Sequence, residues 1–127
     1  MQIKTISTKN APAAIGPYSQ AKVFGGVAYI SGQLPMHPAT GEMELGDIKA
    51  QTQLTLENLA AIVEAAGSSM DKVLKATILL TDMGHFAAVN EVYASFFKDN
   101  PPARICYQVC ALPKGAAVEI DAICAVE

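Results

Sequence analysis

Arg104 is the single arginine of the chain. Its rigid fork of donors can grip a carboxylate at both oxygens, which the point charge of a lysine cannot do. Glu119 and Asp121 follow in the next strand-like run. A partly desolvated carboxyl such as Glu119 rises in pKa and can serve as a general base toward water. An arginine that anchors a small acid and a glutamate that activates water are the parts of a hydrolytic site. A plain ion pair between Arg104 and either acid explains the same residues, and spacing alone does not choose between them.

The other reactive side chains point to less. His37 sits beside Pro38 in a loop and His85 at the start of a helical run, without the neighbouring Ser, Cys or acid that a catalytic triad would need. Two histidines and three cysteines show no zinc-ligand spacing, and no glycine-rich phosphate loop opens a helix, so neither metal nor cofactor is expected. On one strand Cys106 and Cys110 would stand about 13 Å apart, too far for a disulfide. Cys106 lies two residues from Arg104, whose charge could lower its thiol pKa, but a packing or backbone role fits a small apolar cysteine better. Tyr18, in Ile15-Gly16-Pro17-Tyr18-Ser19, and the turn Ser31-Gly32-Gln33 are loop elements of the kind that bring a hydroxyl or a backbone N–H to a ligand.

These residues need a scaffold, and 127 residues with 51% hydrophobic and 17% charged side chains can bury one core as a single domain, residues 1–127. No apolar run approaches the ~20 residues that span a bilayer, and the first residues lack a signal-peptide core, so no membrane partner and a cytoplasmic location are expected. A net charge of −3 with dispersed lysines argues against nucleic acid.

The runs 19–24 and 27–34, joined by Gly25-Gly26, read as a β-hairpin. Residues 35–46 read as a loop. A helix is expected over 47–66, with Asp47 as its cap and Leu56, Leu59, Ile62, Val63 and Ala66 on one stripe. A strand over 72–80 follows, then a second helix over 84–98 that Asp82 caps and Asn100-Pro101-Pro102 stops. Strands over 103–110 and 117–126 complete the chain, with residues 2–7 as an extra first strand.

Hairpin-type connections at both ends make the sheet mixed, and two helices cover only one of its faces. The expected fold class is α+β. Period-two alternation assigns Ile105, Tyr107 and Val109, with Val118, Ile120, Ala122 and Cys124, to the helix side. It assigns Arg104, Cys106, Gln108 and Cys110, with Glu119, Asp121 and Ile123, to the uncovered face.

Several stretches together resemble the RidA/YjgF family of reactive-imine deaminases. They are Ala11-Pro12-Ala13-Ala14-Ile15-Gly16-Pro17-Tyr18-Ser19-Gln20, Ile30-Ser31-Gly32-Gln33, Ala103-Arg104-x-Cys106 and Leu112-Pro113-x-Gly115-Ala116-x-Val118-Glu119-Ile120. Leu56-Glu57-Asn58 and Phe86-x-x-Val89-Asn90-x-x-Tyr93 extend the likeness over essentially the whole chain. The resemblance implies a chorismate-mutase-like sheet with two helices on one face, and a homotrimer with ligand clefts between subunits. It implies hydrolysis of 2-iminopropanoate and 2-iminobutanoate to 2-oxo acids and ammonia, a role in metabolite damage control. By position, Arg104 resembles the family's carboxylate-binding arginine and Glu119 its water-positioning acid; Tyr18, Ser31, Gly32 and Cys106 resemble its pocket lining. Ile105, Tyr107 and His85 depart from the residues common at those positions.

A non-catalytic regulatory trimer that senses small carboxylates would use the same pocket. Chorismate mutase chemistry on the same fold is disfavoured, since a dicarboxylate transition state calls for more than one arginine. A chaperone-like use of the exposed face finds no specific support in the composition.

Overall fold

A computed structural model describes residues 1–127. The elements in chain order are β1 (Lys4–Ile6), β2 (Ala21–Phe24), β3 (Val27–Gln33), α1 (Ile48–Ala65), β4 (Val73–Leu80), α2 (Phe86–Phe96), β5 (Ala103–Gln108) and β6 (Val118–Ala125). They form one six-stranded sheet in the order β1-β2-β3-β6-β4-β5 with both helices on one face. Only β4 and β5 run parallel, joined by the α2 crossover; every other pair is antiparallel.

Each expected element is present, with shorter ends. The β2–β3 hairpin turns through Gly25 and Gly26 at φ 62° and 79°, the pair of positive values that a tight two-residue hairpin requires. Asp47 accepts from the amides of Lys49 (3.1 Å) and Ala50 (3.3 Å) and so caps α1. The α1 stripe Leu56, Leu59, Ile62 and Val63 is fully buried over the sheet. Burial of side chains of this size contributes about 1.5–3 kcal/mol each. Residues 83–85 form a 3-10 turn rather than the first turn of α2, because the Asp82 carboxylate takes the Gly84 amide (2.8 Å) and Gln108 takes that of Met83 (2.8 Å).

Two expectations are overturned. The connection from β5 to β6 is not of hairpin type: β6 passes beyond β5 and inserts between β3 and β4. The reason is apolar content, since Val118, Ile120, Ala122 and Cys124 are all buried and belong at the centre of the sheet, whereas β5 can serve as an edge. The second correction concerns which way β5 faces. Its parallel register sets Arg104 beside Ala76 and Cys106 beside Ile78, and both partners are fully buried on the helix side. Arg104 and Cys106 therefore project toward α2, and Ile105 and Tyr107 toward the uncovered face, where Tyr107 is 57% exposed. Apolarity misleads here because an edge strand is only partly roofed by helix, and a guanidinium is well accommodated on aromatic faces.

Candidate active site

Glu119 projects from β6 onto the uncovered face, paired in register with Leu79. It is half-buried and enters none of the side-chain hydrogen bonds or ion pairs of the protomer. Burial, and then the Asp121 carboxylate two residues along the same face, push its pKa above the ordinary carboxylate value. A carboxylate kept from ordinary solvation and left unpartnered is suited to take a proton from water.

Opposite Glu119 the β3–β6 ladder is irregular between Ile30 and Gln33, and Ser31 and Gly32 occupy the bulge. A Cβ on Gly32 would lie 2.9 Å from Glu119 Cδ and closer still to Oε2, so only glycine admits the carboxylate there. Ser31 is pinned twice to the preceding segment: its amide donates to Gln20 O (2.9 Å) and its hydroxyl to Ser19 O (2.6 Å).

Around this pair lies a cavity of about 530 Å³ whose lining includes Ile15, Tyr18, Ser31, Gly32, Lys114 and Glu119. Three devices hold its walls. The buried Gln20 carboxamide accepts from the Thr8 amide (2.7 Å) and donates to Thr8 O (3.1 Å) and Pro12 O (2.8 Å), which fastens the arm that carries Ile15 and Tyr18. Asn58 of α1 donates to Leu34 O (3.0 Å) and Met36 O (2.8 Å), fixing the exit from β3. Gln51 accepts from the Ala117 amide (3.0 Å) and steadies the segment that leads into β6. Lys114, in the turn before that segment, is the one non-glycine residue at positive φ (58°) and supplies the only cation of the lining. A hollow of about 590 Å³ on the other side of Tyr18, against Thr5 and Lys9, contains hydroxyls and one lysine but no acid.

Arg104 does not join this cavity. Its guanidinium donates to Asn90 Oδ1 (2.6 Å) and lies over the rings of Phe86 and Tyr93, with its carbon 5.6 Å and 5.0 Å from their centres. No ion pair links it to Glu119 or Asp121, which project from the opposite side of the sheet. Cys106 is half-buried against the core, and burial raises its thiol pKa against the opposing influence of Arg104, which suits a packing role rather than a reactive thiolate. His37 approaches Glu44 (3.8 Å) within its own loop, and His85 immediately precedes α2 without a capping hydrogen bond from its side chain; neither lines the cavity. No three His, Cys, Asp or Glu side chains converge as metal ligands would.

Of the six residues singled out in the sequence, Tyr18, Ser31, Gly32 and Glu119 therefore converge in one protomer, and Arg104 and Cys106 lie across the sheet from them. Sequence reasoning missed the cradle around Arg104. Its signal was present in the spacing of Phe86, Asn90 and Tyr93, which places all three on one face of α2.

A family model described as Endoribonuclease L-PSP matches residues 8–126. A RutC family protein of Sinorhizobium fredii is 53% identical over 121 residues, 95% of this chain and 96% of the relative. The 2-iminobutanoate/2-iminopropanoate deaminase of Bos taurus is 51% identical over 120 residues, 94% of this chain and 88% of the relative. Among solved structures, E. coli TdcF with bound serine superposes with a TM-score of 0.93 at 45% identity, covering 98% of this chain and 99% of that one. With a family model spanning nearly the whole chain and relatives above half identity, this chain belongs to the Endoribonuclease L-PSP family, the family of RidA and YjgF.

Proposed function

We propose that the protein hydrolyses small 2-imino acids, such as 2-iminopropanoate and 2-iminobutanoate, to 2-oxo acids and ammonia, in clefts formed between copies of the chain. The observation that carries this reading is Glu119, half-buried, unpartnered and set against the Gly32 backbone in a cavity large enough for such a substrate. The deaminase name of the Bos taurus relative and the serine bound by TdcF support a small substrate with a carboxylate.

Arg104 and Glu119 leave opposite faces of one sheet, so a substrate that touches both needs two chains. The exposed edge strand β5 of one copy brings Arg104 and Cys106 to the Glu119 cavity of the next, and a closed trimer repeats the contact around a ring. Arg104 holds the substrate carboxylate at both oxygens, and the imine carbon then faces the water beside Glu119.

The chemistry closes without a cofactor. Water oxygen adds to C2 while the C=N pair moves to nitrogen and Glu119 takes a water proton. That proton passes to the nitrogen of the carbinolamine. As the C–N bond breaks, the hydroxyl oxygen forms C=O and its proton passes, by way of Glu119, to the departing nitrogen, which leaves as ammonia. Imine hydrolysis is already rapid in water, so few groups suffice. The word endoribonuclease in the family description finds little in this chain's charge, which is −3 overall with its cations dispersed. A purely sensory role would leave a desolvated, unpartnered glutamate without a task.

The test is to generate 2-iminobutanoate in situ and follow release of 2-oxobutanoate with and without the protein. Acceleration that is catalytic in protein is expected. Tight binding of 2-oxobutanoate with no acceleration would overturn the enzymatic reading in favour of a sensor.

A further inference from the structure

Arg104 is exposed, yet three side chains of α2 hold it. Phe86 and Tyr93 offer ring faces at 5.6 Å and 5.0 Å from the guanidinium carbon, and Asn90 accepts one N–H at 2.6 Å. The three stand at i, i+4 and i+7, so one stripe of the helix addresses one cation. No carboxylate neutralises it. This distinction matters chemically. A carboxylate partner would orient an arginine but also occupy its fork and cancel its charge, whereas aromatic faces attract the cation through their quadrupole and leave the in-plane donors available. Tyr93 contributes its ring and not its hydroxyl, which is buried without a hydrogen-bond partner.

We infer that Phe86 and Tyr93 are positioning residues whose ring faces hold the Arg104 guanidinium in the orientation in which its free fork meets the substrate carboxylate. The inference rests on the reading of Arg104 as the carboxylate anchor. The carboxylate is unchanged as the imine is hydrolysed, so the clamp acts equally on bound substrate and transition state; its loss raises KM and leaves kcat nearly constant.

The experiment exploits the uniqueness of Arg104, which gives the protein a single arginine side-chain signal in NMR. In the wild type the Arg104 Nε–H and Cδ protons are expected to be shielded by the rings relative to free arginine. Phe86→Leu should remove part of that shielding and raise both KM and the Kd for 2-oxobutanoate roughly three- to thirty-fold, the scale of one cation–π contact, with kcat changing less than about two-fold. Phe86→Tyr, which restores a ring, should restore both. Tyr93→Phe, which keeps the ring, should retain the shielding of the Arg104 signal. In an Arg104→Ala background Phe86→Leu should add nothing further to Kd. An unshielded Arg104 signal in the wild type would overturn the inference without any variant. An equal rise in Kd in both backgrounds would also overturn it, since the ring would then be merely structural. If the wild type binds 2-oxobutanoate but never accelerates ammonia release, only the enzymatic reading falls and the shielding and Kd results still decide the clamp. If Arg104→Ala binds 2-oxobutanoate as well as the wild type, the anchor and the clamp fall together.

Discussion

In the proposed reaction Glu119 and Arg104 divide the work by chemistry, and substitution should separate them. Glu119→Gln keeps the size of the side chain and removes the base, so turnover should fall by about a hundred-fold or more toward the spontaneous rate while the affinity for 2-oxobutanoate, measured by calorimetry, stays close to wild type. Loss of binding in equal proportion would remove Glu119 from the role of base. Because burial raises its pKa, the acid limb of kcat/KM should lie above the ordinary carboxylate range, and Glu119→Gln should abolish that limb. The same shift has a consequence for stability. Below the unfolded-state pKa the acid is protonated in both states and burial is tolerated; as pH rises through the higher folded-state value, the buried charge destabilises the fold. Glu119→Gln should thus raise Tm at neutral pH and leave it unchanged near pH 3. Arg104→Ala should lower kcat/KM roughly ten- to a hundred-fold, the scale of a charge-assisted hydrogen-bonded pair, with Arg104→Lys intermediate because the charge survives and the fork does not. Exposed on an edge strand, Arg104 can be replaced without unfolding the chain, and the circular dichroism of both variants should match wild type.

At the scale of elements, the bulge of β3 is what lets β6 present an acid to a cavity. Gly32→Ala puts a methyl group where the Glu119 carboxylate lies, and the movable end of that side chain yields more readily than the backbone. The expected result is a Tm within a few degrees of wild type together with turnover as low as that of Glu119→Gln. Unchanged turnover would show that the seat against Gly32 is dispensable. The elements themselves were largely legible in the sequence. Asp47, the Gly25-Gly26 pair and the α1 stripe act through short-range rules, and each sits where those rules place it. The neighbours of β6 and the facing of β5 were not legible, because both depend on pairing between strands distant in sequence. Alternation correctly separated Arg104 and Cys106 from Ile105 and Tyr107, but which set faces the helices was settled by the parallel register with β4. Tyr18, Ser31, Gly32 and Glu119 were recognisable as types on turns and strands, whereas the holding roles of Gln20, Asn58 and the α2 rings required three dimensions.

For the whole molecule, the uncovered sheet face carries large side chains, Tyr29 at 52% and Tyr107 at 57% exposure among them, that a lone protomer would leave in water. Sedimentation equilibrium should find a closed trimer at micromolar concentration, and a stable monomer would contradict that assembly. In the proposed reaction assembly also bears on catalysis, because no single protomer places Arg104 and Glu119 on the same side of its sheet. The decisive measurement is therefore complementation. Arg104→Ala and Glu119→Gln chains, each at least about ten-fold below wild type alone when assayed at low substrate, are co-expressed with different tags, and mixed assemblies are purified through both. In every mixed ring of three, whichever chain is in excess, one of the three clefts pairs an intact Arg104 with an intact Glu119, so imine hydrolysis should return to about a third of the wild-type rate. Mixed assemblies no more active than the two parents would contradict a site shared between copies.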